Sequence, residues 1–452
     1  LSFQECADRC AEDFRKAADL LPIDWDDTTP GQNTLGHNQR RINKIMALGY
    51  LGKVYLWSAS PLMKHGAMMG AGSLTYDYDT NRAQQAADAF GELLQLVESG
   101  QTQYALAEFN YKDIYNHTKA DDATTCYSDI WCTQGQNWLT PGTTESIMRS
   151  GDGEINSAPW GYARSFGPID VTDGGVVHHP AANYVNYAYG MANGLPLDDP
   201  ESGFDPTHPF KDRDPRFYHD IVFDGIQYIR GALTEDNATF EAFRYANLYT
   251  GGNYRNDSKG SRSGYLYQKL ANKNCNKFDG GLDWGTATMC GVPYMRLADI
   301  YLMYAEACAA VSGASGHSST YPNLTAEGAI NTLRDRVGCE HVNAKFLSDK
   351  NKFMDEVRRE RACELAFEGH RFCDLQRWLL LTEEPYITKT SQEFTRVNDQ
   401  SWYEENDPRD AEVRGWSEEV VVTRPYSERN YWFPFFKKDV SIYEDFEQNP
   451  GW

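Results

Sequence analysis

The chain has 452 residues, more than the roughly 250–300 that one compact core holds, so two or more lobes or one continuous helical array are expected. Its 43 basic and 65 acidic side chains give a formal net charge of −22, and with no basic stripe to offset repulsion from phosphate, nucleic acid is excluded as a partner. Aromatic residues make up 13% of the chain, including 28 Tyr and 11 Trp; such rings are core material and also the surfaces on which sugars stack.

No apolar run reaches the roughly 18 residues of a membrane-spanning helix. The first residues, LSFQECADRC, show neither the basic nor the apolar region of a signal peptide. The ten cysteines include no CxxC pair, which argues against a zinc or redox motif. Cys308 and Cys363 lie in helical patterns and are expected to be buried thiols, whereas the pairs 126/132 and 275/290 lie in loop-like sequence and are candidates for bridging.

In chain order, Ser2 and Glu5 form a capping box, and a helical stripe of Phe3, Cys6, Cys10, Phe14, Ala17 and Leu21 runs on to Pro22. A second helix is expected over 38–60, stopped by Pro61, and a third from a Thr80 cap to Ser99, closed by Gly100. Helix, loop and helix units with Ala, Gly and Tyr at packing positions are what tetratricopeptide-like hairpins require, although the spacing supports no strict repeat. Residues 121–291 change to Gly, Asn, Asp, Trp and Tyr, with short strands expected at 145–149, 217–223, 226–229 and 265–270. Helices resume over 293–310, 325–337 and 347–381; a polar stretch over 382–419, a strand at 420–423 and an aromatic tail follow. Over 293–310, Leu297, Tyr301, Tyr304, Ala305 and Cys308 share one face at a period near 3.6, with Arg296, Asp299 and Glu306 set to pair with neighbouring helices.

The expected fold is therefore mainly α. A helical scaffold over 1–120 carries a loop-rich, ligand-binding portion over 121–291, and a second stretch of scaffold with a packing tail occupies 292–452.

No catalytic kit is present: HExxH, GxSxG, the P-loop and GxGxxG after a strand are all missing. A glycosidase would need two carboxylates flanking a bond, and 65 acidic residues single out no pair. Adjacent His178 and His179 would point different ways in a regular element and make a poor metal site. Asp77, Asp79 and Asn81 have the first spacings of a calcium loop, but Arg82 and Asp88 stand where Gly and Glu belong, so neither a structural calcium ion nor any other cofactor has a specific motif. The densest charged segment, EVRRERACELAFEGHRFCDLQRW at 356–378, repeats Glu356, Glu360, Glu364 and Glu368 every four residues, with Arg361, Arg371 and Arg377 supplying the opposite charge. Acid and arginine woven into an apolar helix predict bidentate pairs buried at a helix interface, an architectural role.

Taken together, RDPR from Arg213, RLADIYLMYAEA from Arg296, AINTLRDRVG from Ala329, ERACELAFEGHRFCDLQRW ending at Trp378 and the terminal QNPGW resemble, in order, the SusD/RagB family of outer-membrane nutrient-binding lipoproteins of the Bacteroidetes. The resemblance implies a tetratricopeptide-like scaffold without enzymatic activity. Such a protein is lipid-anchored at the outer membrane, faces outward, sits as a lid on a SusC-like TonB-dependent transporter, and delivers a glycan to it by hinged closure. It also implies that a signal peptide, a lipidated cysteine and a length of scaffold and binding loops precede Leu1, with Asp19 to Pro22 matching a later family stretch. On that reading Cys6 and Cys10 lie inside a helix and are not the lipid site. Peptide uptake within the same family, or a tetratricopeptide-like protein-interaction scaffold, are the alternative functions. The family's contacting aromatics lie in variable loops, so ligand-binding residues are chosen by chemistry: Trp138, Trp160, Tyr254 and Trp284 beside Gly, Asn or Asp, with Asn253 and Asp283 as hydrogen-bond partners.

Overall fold

A computed structural model describes residues 2–38, 41–116, 144–148, 164–270, 275–280, 292–442 and 445–452, together with the backbone of short strands at 118–119, 122–126, 132–134 and 288–290. It is mainly helical. α1 (Phe3–Leu20) begins with the expected capping box: the Ser2 hydroxyl accepts from the Glu5 amide at 3.2 Å, and the Ser2 amide donates to the Glu5 carboxylate at 2.6 Å. α2 (Lys44–Ala59) starts later than expected, because Asn43 supplies its cap by accepting from the Met46 amide at 3.0 Å. Asn38, the expected start, is a buried loop anchor that donates to the Gly31 carbonyl at 2.9 Å. α3 (Thr80–Glu98) is capped by Asp79 and not by Thr80; the Asp79 carboxylate accepts from the amides of Asn81 and Arg82 and adds a favourable charge at the helix N-terminus.

A short helix, α4 (Ala182–Ala188), precedes the central one, α5 (Leu297–Ser312). α5 starts after the expected Pro293 because Met295 and Arg296 are drawn into an antiparallel ladder with Ser146–Met148. Every residue from Leu297 to Ala310 is buried, so the one-sided stripe is corrected to a helix buried all round. It packs on α3, α6 (Ala326–Val337) and α7 (Lys350–Glu364), while α1 packs on α2 and α2 on α3. The helix expected over 347–381 is broken. α7 ends at Glu364 and α8 (Arg371–Arg377) restarts after a turn in which Phe367 (φ 66°) and Gly369 (φ 87°) take left-handed backbone. Phe367 is held in that conformation by edge-to-face packing on Tyr267, with ring centroids 4.4 Å apart.

Among the expected strands, Phe217–Asp220 is a helical turn and only Ile221–Val222 pairs, with Leu266–Tyr267. The 226–229 segment contributes a single bridge between Gln227 and Tyr245. The strand expected at 420–423 is the end of a longer one, β2 (Val413–Thr423), and the polar stretch over 382–419 conceals its start and the whole of β1 (Thr388–Arg396), with which it forms an antiparallel hairpin. Polar Thr, Ser and Gln hide β1 from a hydrophobicity pattern, although threonine is a good strand former.

The hydrophobic interior forms two main clusters. One gathers α1, α2, α3, α5 and α6. The other gathers Phe210, Phe217, Phe223, Tyr254, Tyr265 and their aliphatic neighbours. α7 belongs to both, giving Phe353 and Val357 to the first and Ala362 and Cys363 to the second. Among the described residues no helix is long and apolar enough to cross a membrane.

Candidate functional site

The carboxylates repeated along 356–368 converge at the seam between the two clusters. Arg296 holds Glu368 through two hydrogen bonds of 2.8 Å, and its remaining nitrogen meets Glu364 at 2.8 Å and Glu145 at 2.5 Å. From the loop-rich portion, Arg216 meets Glu360 at 2.5 Å and Glu364 at 3.1 Å, and the Lys269 ammonium lies 3.0 Å from Glu368. Arg361 joins Asp299 at 2.5 Å to Asp374 at 2.8 Å, while Glu306 accepts from Arg377 at 2.6 Å and from the Trp378 indole at 2.8 Å. Burial pushes the Glu364 carboxyl up, but the charges of Arg336, Arg296 and Arg216 outweigh it and hold the group well below the usual carboxylate range. Groups locked in ionised pairs this way have no proton to exchange, so the network is structural, as the sequence pattern predicted. One arginine of that pattern departs from it. Arg371 meets no carboxylate among the described residues and stands instead over the rings of Tyr184, Tyr187 and Tyr386.

The expected ligand contacts fare unevenly. Trp138, Trp160, Asp283 and Trp284 lie outside the described residues. Tyr254 is corrected: it is wholly buried, its hydroxyl donates to the Phe243 carbonyl at 2.7 Å, and its ring packs edge-on to Tyr228, so no face is open to a sugar. Burial raises its phenol well above the ordinary value. Asn253 is exposed, but its amide is spent within the loop, donating to the Ala242 carbonyl at 2.8 Å and accepting from Asn247 at 3.0 Å. A Gly-Asn-Tyr stretch looks the same whether its tyrosine faces out or in, and here the turn folds it inward. The Asp77 and Asp79 carboxylates are likewise occupied, Asp77 by Lys64 at 2.7 Å and Asp79 by the cap of α3. In the backbone ladder of 132–134 with 288–290, Cys132 stands opposite Cys290.

A cleft of about 1060 Å³ opens between α4, the 196–204 loop, the N-terminal half of α7 and the hairpin, walled by the rings of Tyr187, Phe204, Phe346, Tyr386 and Trp416. Sequence reasoning missed Phe346, Tyr386 and Trp416 because it sought ligand contacts only within the loop-rich portion, and it passed over Tyr187 and Phe204 inside that portion. Yet Trp416 beside Gly415 and Tyr187 beside Asn186 met the criterion used there. Half-exposed rings with carboxylates and amides between them suit a flat, hydroxyl-rich ligand.

The sequence model of the SusD family matches residues 144–452. The chain belongs to the SusD family. Solved structures give this SusD-family chain the same fold. A SusD-like protein from Bacteroides fragilis NCTC 9343 matches with a TM-score of 0.63 and 21% identity over 99% of this chain and 71% of its own. A SusD-like carbohydrate-binding protein from the same organism matches with a TM-score of 0.60 and 20% identity, covering 99% of this chain and 72% of its own. No curated protein sequence matches at a significant level. The mainly helical, tetratricopeptide-like scaffold expected from the sequence is thus the fold observed.

Proposed function

We propose that this protein binds a glycan at the outer face of the outer membrane and delivers it to a SusC-like TonB-dependent transporter, without catalysis. The observation that carries this reading is the SusD-family match over residues 144–452. The fold shared with a SusD-like carbohydrate-binding protein and the surplus of half-exposed aromatic rings support it. The family match also supports attachment to that membrane through a lipid anchor. Trp138, Trp160 and Trp284 are proposed to stack on sugar faces, and Asp283 to hydrogen-bond to hydroxyls, within the loop-rich portion.

Isothermal titration against a panel of oligosaccharides and peptides tests the reading. Binding of at least one glycan, weakened by Trp284→Ala or Trp160→Ala, is the expected result; peptide binding with no glycan binding overturns the glycan assignment. Pull-down from detergent-solubilised outer membranes should recover a TonB-dependent transporter, and recovery of soluble partners alone would favour a protein-interaction scaffold.

A further inference from the structure

Buried arginines in this acidic chain find partners: Arg216, Arg296, Arg334, Arg361 and Arg377 meet carboxylates, and Arg213 meets backbone carbonyls. Three half-buried cations close to one another do not. The side chains of Arg371, at the start of α8, Lys389, on β1, and Arg424, just past β2, meet no carboxylate and no hydrogen-bond acceptor among the described residues. Hairpin register brings two of them together. Val422 stands opposite Lys389, and the Arg424 amide donates to the Ile387 carbonyl at 3.0 Å, so Lys389 and Arg424 rise from the same face of the ladder as diagonal neighbours. Arg371 completes the group. Burial first, and then the charges of Arg424 and Arg371, push the Lys389 ammonium down to about 8.

The surroundings give the cluster a direction. The Arg371 guanidinium carbon lies 5.2 Å from the centroid of Tyr187 and 5.3 Å from that of Tyr386, and both rings wall the 1060 Å³ cleft. The carboxylates of that cleft near these rings are already engaged: Asp355 accepts from the Tyr76 hydroxyl at 2.8 Å, and Glu418 accepts from Asn186 at 2.7 Å and Thr390 at 2.6 Å. Two tyrosine rings offer apolar faces to a sugar, and the adjacent guanidinium groups present planar donor forks that match a carboxylate or sulfate.

We propose that Arg371, Lys389 and Arg424 form an anion subsite beside the tyrosine-walled cleft, and that the glycan taken there carries a uronate carboxylate or a sulfate ester. This rests on the glycan-binding reading and deepens it by naming the charge of the substrate.

Titration calorimetry at pH 8 with two matched pairs tests it: oligogalacturonate against neutral galacto-oligosaccharide, and a sulfated galactan oligosaccharide against its desulfated form, with inorganic sulfate as a control. One charged member should bind about tenfold or more tighter than its neutral partner and weaken as salt rises. Repeating the titration in buffers of different ionisation enthalpy should show proton uptake of about half a proton per site, since an ammonium titrating near 8 becomes fully charged when an anion meets it. Lys389→Met, which keeps the apolar stem, should abolish that uptake and cost about tenfold in affinity for the charged ligand only; Arg424→Gln should show the same selective loss. Equal binding of charged and neutral members, or unchanged charge preference in both variants, overturns the anion subsite and leaves glycan binding standing. Binding of inorganic sulfate alone, with no glycan bound, overturns both.

Discussion

Arg296, just ahead of α5, and Glu368, in the turn that separates α7 from α8, meet side-on, Nε to Oε2 and Nη2 to Oε1, each at 2.8 Å. The break makes this geometry available: Glu364 ends α7, and the left-handed turn through Phe367 and Gly369 lets Glu368 reach the same guanidinium. Arg296→Lys keeps the charge but loses the fork and strands carboxylates in a dry interior. It should cost about 3–5 kcal/mol of stability, as urea denaturation would measure.

Acid should unfold the protein through the same seam. Burial pushes the Glu368 carboxyl up, but Arg296 and Lys269 outweigh it and hold it at about 2, against an ordinary 4.5. Because the ionised form is favoured in the folded state, the stabilisation is fully present above pH 4.5 and is lost as pH falls towards 2. Melting temperatures recorded from pH 6 to pH 2 should fall steeply below about pH 4.5. The decline should be shallower in Glu368→Gln, which starts from a lower stability.

Gly52 on α2 offers a contest between propensity and packing. Alanine favours a helix by about 1 kcal/mol over glycine, yet a Cβ at Gly52 would lie 2.4 Å from the buried Phe90 ring on α3. A rigid ring inside a packed interface cannot step aside, so Gly52→Ala should be destabilising by about 1–3 kcal/mol net. At Gly49 the nearest atom is the Met295 sulfur, also at 2.4 Å, but a thioether can swing away. Gly49→Ala should therefore cost less in the same thermal melts.

Tyr254 and Trp284 should separate stability from binding. Tyr254→Phe removes the hydrogen bond to the Phe243 carbonyl and should lower stability by about 1–2 kcal/mol with no change in glycan affinity. Trp284→Ala should weaken glycan binding, read by titration, while leaving the melting temperature close to that of the unaltered protein. The opposite pattern would return Tyr254 to the ligand site.

The sequence by itself determined the scaffold. Caps, stops and apolar spacing are local, so α1, α2 and α3 were legible to within a few residues, and the acid and arginine repeat over 356–377 announced paired charges before their partners were visible. Family membership was likewise legible in short motifs, which hold residues of the buried network such as Arg216, Arg296, Glu306, Arg334, Glu360 and Arg377. Tertiary structure decided which way side chains point and who meets whom. Nothing near Tyr254 in sequence says that its hydroxyl finds a carbonyl eleven residues away. The polar strand Thr388–Arg396 became a strand only because Val413–Thr423 lies alongside it. Arg371 looks like Arg361 and Arg377 in the repeat, yet the turn after Glu364 rotates it out of the network and onto three tyrosines. A helical pattern fixes the angle between neighbours on one helix. A break in that helix resets the angle, and only packing across the break determines the new one.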